Sequence, residues 1–173
     1  MKRTLCLLLI FASTGLLAQD KNVVTSVVKE ILPRQQKNIV AAVEAMPADK
    51  FSYKPTETQM TFGHLALHII EANNAFCSKI GDLPEVKPPV PLKETDGKDK
   101  LVEALKASFD FCSTALNKMD DSKLADPVEL FGRKGTRAFA LIVLTNSWAD
   151  HYGSAAMYLR LNGILPPTAQ PKK

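Results

Sequence analysis

The sequence predicts an all-α protein, an up-and-down four-helix bundle. Three observations carry that expectation. Apolar residues recur at helical spacing in four segments, Pro- and Gly-containing connectors separate them, and no useful β-type alternation or internal repeat is visible. Composition agrees: 173 residues, 46% hydrophobic and 23% charged, suffice for one domain with a sizeable core and exclude a disordered, collagen-like or polytopic membrane chain. The formal charge of +4 is spread thinly, without the Lys/Arg blocks that track a phosphate backbone, so nucleic acid is not an expected partner.

The first helical pattern spans Lys21 to Met46, with Val24, Val27, Val28 and Ile31, then Ile39, Val40, Val43 and Met46, on one side. Pro33 interrupts it and predicts a kink there or a break near Leu32, because an interior proline removes one hydrogen bond and crowds the carbonyl four residues back. Ala48 to Gln59 reads as a loop. The second helix opens at Thr61, an N-cap, carries Phe62, Leu65, Ala66, Ile69, Ile70 and Phe76, and ends at Gly81. Leu83 to Leu92 holds Pro84, Pro88, Pro89 and Pro91, a stiff linker that lets the chain turn between helices. The third helix starts near Lys98, its stripe formed by Leu101, Leu105, Phe109, Cys112 and Leu116. Asp120 to Lys134 reads as loop. The last helix runs from Thr136 to Leu161 through Leu141, Leu144, Trp148, Tyr152, Ala155 and Leu159, and Gly163 with Pro166-Pro167 stops it.

Met1-Lys2-Arg3 followed by the uncharged apolar run Thr4 to Ala18 has the pattern of a secretory signal, too short for a spanning helix. The expected division is a cleaved signal at 1–18, a bundle at 19–167 and a frayed tail at 168–173, in a periplasmic or secreted protein without stable membrane insertion. Cleavage removes Cys6 and leaves Cys77 and Cys112, an even pair in an oxidising space. They either bridge two helices or remain two buried thiols.

The histidines are His64, His68 and His151. His64 and His68 stand one helical turn apart and project to one side, and His151 arrives from the fourth helix, a set of three imidazoles suited to a catalytic divalent ion such as Zn²⁺ with an open position. The same spacing suits hydrogen-bonded core or surface imidazoles. Glu71 and Asp150 suit either ligand-orienting roles or solvated helix charges. Tyr152 and Arg160 suit substrate orientation, or packing and surface pairing. Phosphate-binding Gly loops, nucleophile elbows, HExxH and CxxC are missing from the sequence, and neither Cys77 nor Cys112 is flanked by His or Arg, which disfavours covalent catalysis.

Two stretches resemble the DinB/YfiT-like four-helix bundles. Thr61-Phe62-Gly63-His64-Leu65-Ala66-Leu67-His68-Ile69-Ile70-Glu71-Ala72-Asn73 is similar to that family's second helix. Asp150-His151-Tyr152-Gly153-Ser154, followed by Tyr158-Leu159-Arg160 and then Asn162-Gly163-Ile164-Leu165-Pro166-Pro167, is similar to its fourth helix and ending. The resemblance implies a divalent-metal site, Zn²⁺ or Ni²⁺, built from one His on the second helix and two on the fourth, four residues apart. His68 matches the first position and His151 the last, while the middle position falls at Ser147. His64, Asp150 or Glu71 then replaces the missing ligand, or the ion is held weakly, or the metal function is lost. The resemblance further implies a small-molecule substrate, hydrolase or thiol-transferase chemistry, and a homodimer. Its alternative is a non-enzymatic, stress-related or binding module that has lost the full triad.

Overall fold

The computed structural model describes residues 21–86 and 90–171. The signal segment expected at 1–18 lies outside the described residues, as do Pro88 and Pro89. Among the described residues the chain forms α1 (Val23–Ala45), α2 (Phe62–Ile80), α3 (Lys98–Asn117) and α4 (Arg137–Leu161), with a hairpin of β1 (Pro127–Leu130) and β2 (Arg133–Thr136) between the last two helices. None of these helices is long and apolar enough to cross a membrane.

Helix boundaries follow the local chemistry. Thr61 caps α2 by accepting the His64 amide at 3.0 Å, and Thr136 caps α4 by accepting that of Phe139. The N-terminus of α1 is capped from a distance: the Asp121 carboxylate accepts the Val24 and Thr25 amides, each at 2.9 Å, and the Thr25 hydroxyl at 2.6 Å. Burial works against ionisation of Asp121, but the hydrogen bonds from Thr25 and Val24 outweigh it and hold the carboxyl below its usual range. No break occurs at Pro33, and α1 is one helix. Pro33 faces solvent, so the carbonyl it leaves unpaired is on the watered side, while Val28, Leu32, Ile39, Val40 and Val43 fix both halves in one core.

The all-α four-helix bundle is as expected, but its helices do not alternate strictly up and down. Asn73 bonds Ser108 and Cys77 is disulfide-linked to Cys112, so residue numbers rise together and α2 and α3 are parallel. Asn73 bonds Trp148 and the Ile80 carbonyl accepts from Arg137, which makes α2 and α4 antiparallel. Gln36 meets Asp110 and Glu44 meets Lys106, so α1 and α3 are antiparallel too. The sense is up, down, down, up, and each helix packs on two neighbours in the cyclic order α1, α3, α2, α4. The cause is the connection after α2, whose described ends lie beside opposite ends of that helix, so that α3 starts where α2 starts. Glu85 pairs with Lys79 near the end of α2, and Glu94 pairs with His64 near its start. Gly63 permits the approach: a Cβ there would sit 2.7 Å from the Glu94 carbonyl oxygen.

The hairpin replaces part of the loop expected over Asp120 to Lys134. Leu130 is opposite Arg133, leaving Phe131-Gly132 as a two-residue turn with φ of +50° and +75°, the signs a type I′ turn demands. A phenylalanine in the left-handed region costs on the order of 1 kcal/mol. Arg137, its side chain 8% exposed, locks the hairpin base to α2 by donating to the Lys79 and Ile80 carbonyls and to Asp82 at 2.5 Å. Of the tail expected at 168–173, residues 172 and 173 lie outside the described residues, and its start is ordered. Pro167–Ala169 forms a 3-10 turn, and Thr168 is tied to the Tyr152 hydroxyl at 2.7 Å.

Candidate metal centre

The site grows from the seam between α2 and α4. Trp148, fully buried, donates its indole N–H to the Asn73 side-chain oxygen at 2.7 Å, and the Asn73 amide donates to Ser108 at 3.0 Å, whose hydroxyl donates to the Leu105 carbonyl at 2.8 Å. This chain satisfies each of its buried polar groups and fixes the register of three helices. With the two helices antiparallel, one turn along α4 from Trp148 lies His151, and just over one turn back along α2 from Asn73 lies His68.

Their imidazole rings meet with centroids 4.9 Å apart and planes at 83°. Ser147, one turn before His151, lies with its hydroxyl 3.1 Å from His151 Nδ1. That contact orients the ring and leaves Nε2 as the nitrogen not engaged by Ser147. His151 is half-buried. Burial pushes its pKa below the ordinary histidine value, the neighbouring His68 pushes the same way, and Asp150 opposes both. His151 is therefore neutral at physiological pH, the form that offers a lone pair to a metal or a proton donor.

The other expected residues are placed differently. His64, on the same helix as His68, is 51% exposed in its side chain and its Nδ1 is 2.7 Å from Glu94, so the crossover engages it. Glu71 and Asp150 are exposed. Among the described residues no three His, Cys, Asp or Glu side chains converge to hold an ion. The Tyr152 hydroxyl is taken by Thr168, and among the described residues Arg160 reaches the Ala156 carbonyl of its own helix, so packing and surface pairing describe both.

A sequence model of the DinB superfamily matches residues 31–154. The chain belongs to the DinB superfamily. Its fold is similar to that of a DinB-like protein from Bacillus subtilis, 22% identical, with a TM-score of 0.66 over 84% of this chain and 99% of that one. It is similar also to a DinB-like protein from Bacillus cereus, 17% identical, with a TM-score of 0.67 over 86% of this chain and 98% of that one. No curated protein matches the chain.

Of the expected donor set in this DinB-superfamily chain, His68 and His151 come together, and among the described residues no third His, Cys, Asp or Glu joins them. Two imidazole nitrogens about 2.1 Å from one ion, at an angle of roughly 100°, put ring centres about 5 Å apart. The separation of 4.9 Å between His68 and His151 matches that spacing. Ser147 supplies a hydroxyl where a third imidazole would stand, and in its contact with His151 it serves to position the ring.

Proposed function

We propose that His68 and His151 form a two-imidazole site for a single divalent ion, Zn²⁺ or Ni²⁺, in an exported DinB-superfamily domain. The observation that carries this reading is the ring separation, which suits a shared ion. The neutral state of His151 and its orientation by Ser147 support it further. With only two protein ligands the affinity is lower than that of a three-imidazole site, and the remaining positions are open to water or to a small-molecule substrate. A bound ion supplies Lewis acidity at those positions, the basis for a hydrolase or transferase activity. His68, His151 and Ser147 do the protein's part: two hold, one orients. The Cys77–Cys112 disulfide supports an oxidising compartment, and with it a periplasmic or secreted location.

A second reading has its own observation. Ser147 stands at the family's ligand position and its hydroxyl is spent on His151, an arrangement equally suited to a bundle that kept its fold, lost metal binding and acts as a non-enzymatic module. Calorimetric titration of metal-free protein with Zn²⁺ and Ni²⁺ separates the two. The metal reading expects one equivalent to bind, binding to vanish in His68→Ala and in His151→Ala, and His64→Ala to bind as the wild type does. Wild-type protein that takes up neither ion belongs to the metal-free module.

A further inference from the structure

The bridge between Cys77 and Cys112 is one rung of a ladder between α2 and α3. Asn73 pairs with Ser108 at 3.0 Å, Cys77 is bonded to Cys112 one helical turn on, and Gly81 abuts Ala115 a turn beyond that, where a Cβ would sit 2.7 Å from the Ala115 Cα. Both cysteines are fully buried. The rungs touch one another: the Cys112 Sγ lies 3.5 Å from the Asn73 carbonyl oxygen, so the bridge packs on the residue whose side chain holds Ser108 on one side and the Trp148 indole on the other. Asn73 is thus shared between the α2–α3 ladder and the α2–α4 seam, and the next contact along that seam is the meeting of the His68 and His151 rings.

Two bonded sulfurs stand about 2 Å apart, whereas non-bonded atoms in contact need roughly 3.5–4 Å. In a close-packed interior the neighbours must take up the difference. With Gly81 already against the Ala115 backbone, the adjustment open to α2 and α3 is to part, and α2, which also packs on α4, is then displaced against α4.

We propose, resting on the two-imidazole reading above, that the Cys77–Cys112 bridge sets the affinity of the His68–His151 site for its divalent ion: the oxidised chain is the metal-binding form, and the dithiol chain holds the ion more weakly. Closing the bridge passes two electrons and two protons from the Cys77 and Cys112 thiols to an oxidant that is itself a disulfide, which leaves as a dithiol. The new Sγ–Sγ bond fixes α2 against α3 beside Asn73, Asn73 fixes α2 against α4 at Trp148, and the separation of the two imidazoles follows from that register. A two-ligand site is sensitive to such a displacement, because metal–nitrogen distances hold only within about 0.2 Å. His68 and His151 are positioned by the bridge through Asn73 and are not touched by it.

The test is calorimetric titration with Zn²⁺ of metal-free protein in three forms: oxidised, reduced with dithiothreitol and freed of it without oxygen, and Cys77→Ala combined with Cys112→Ala, which has no thiol at these positions to take the ion itself. Circular dichroism follows the helix content of each. The reduced protein and the double variant should stay helical and bind Zn²⁺ about threefold to thirtyfold more weakly than the oxidised protein, the span of couplings carried through packed contacts. Oxidised Asn73→Ala, with the bridge intact and the relay removed, should weaken in the same range. Leu32→Ala, a cavity at a buried position of α1, should bind as the oxidised wild type does, which separates register from stability at large. Equal affinities in the oxidised, reduced and double-variant proteins would overturn the proposal and leave the two-imidazole site in place, as would an unaffected Asn73→Ala or a Leu32→Ala weakened as much as the others. Loss of helix content in both bridge-free forms would also overturn it, because the bridge would then serve the fold and not the register. Oxidised wild type that binds no Zn²⁺ would instead overturn the two-imidazole reading itself.

Discussion

The seam between α2 and α4 carries two polar contacts little more than a helical turn apart, and they are built on opposite principles. At Trp148, Asn73 and Ser108 each buried donor or acceptor meets a partner, the chain ends on a main-chain carbonyl, and the group is sealed from water. At His68 and His151 the rings touch near the surface, Ser147 takes one nitrogen, and the arrangement is left with coordinating capacity. The first is what structure requires, since an unpartnered buried polar group is costly. The second is left open, since the His151 Nε2 is the nitrogen that Ser147 does not engage. The buried contact sets the distance across which the open one works.

Stability measurements can break this comparison, and the largest effects belong on the buried side. Replacing Cys77 and Cys112 together by Ala should cost about 4 kcal/mol in chemical denaturation, the value for a closed loop of about 35 residues; a loss under about 1 kcal/mol would mean that the parallel α2–α3 pair needs no staple. Asn73→Ala should cost about 2–3 kcal/mol, because it leaves the indole N–H of Trp148 buried without an acceptor. By contrast, His68→Ala should stay within about 0.5 kcal/mol in metal-free protein, as surface changes do. If the two substitutions cost the same, the division of the seam into a buried and an open half fails.

Acidification gives a smaller effect, and its sign follows from His151. Burial and His68 depress its folded pKa below the ordinary histidine value of about 6.5, so as pH falls the unfolded chain takes up the proton first. Stability is therefore expected to be flat above that value and to decline below it, towards the folded pKa. Between about pH 7 and pH 5 the wild type should lose more stability than His151→Gln, measured by denaturant midpoint. Equal losses would show that the ring is not desolvated by the seam.

The parts of this molecule that the sequence makes legible are those governed by local spacing. Apolar periodicity marks all four helices, Thr61 and Gly81 bracket α2 as helix signals do, and His68 and His151, expected to approach from two helices, have rings in contact. What was not legible depends on distant contacts. Helix direction is set by a connection whose described ends lie beside opposite ends of α2, and a proline-rich stretch reads the same whether it turns or returns. The hairpin has only Leu130 fully buried, and Phe131-Gly132 lacks the Asn or Asp that advertises a type I′ turn. Asn73 is invisible as a clamp, since an asparagine within a helix ordinarily points to solvent. His64 matched His68 in spacing, and only the position of Glu94, thirty residues on, removes it from the pair.

The most direct measurement of the central claim is Zn²⁺ affinity in Ser147→His. If His68 and His151 are already spaced for a shared ion and lack only the ligand that Ser147 displaces, the added imidazole should tighten Zn²⁺ binding by about tenfold or more, equivalent to at least about 1.4 kcal/mol, with the same loss on His68→Ala. An affinity unchanged from wild type, or a gain that survives removal of His68, would contradict the account.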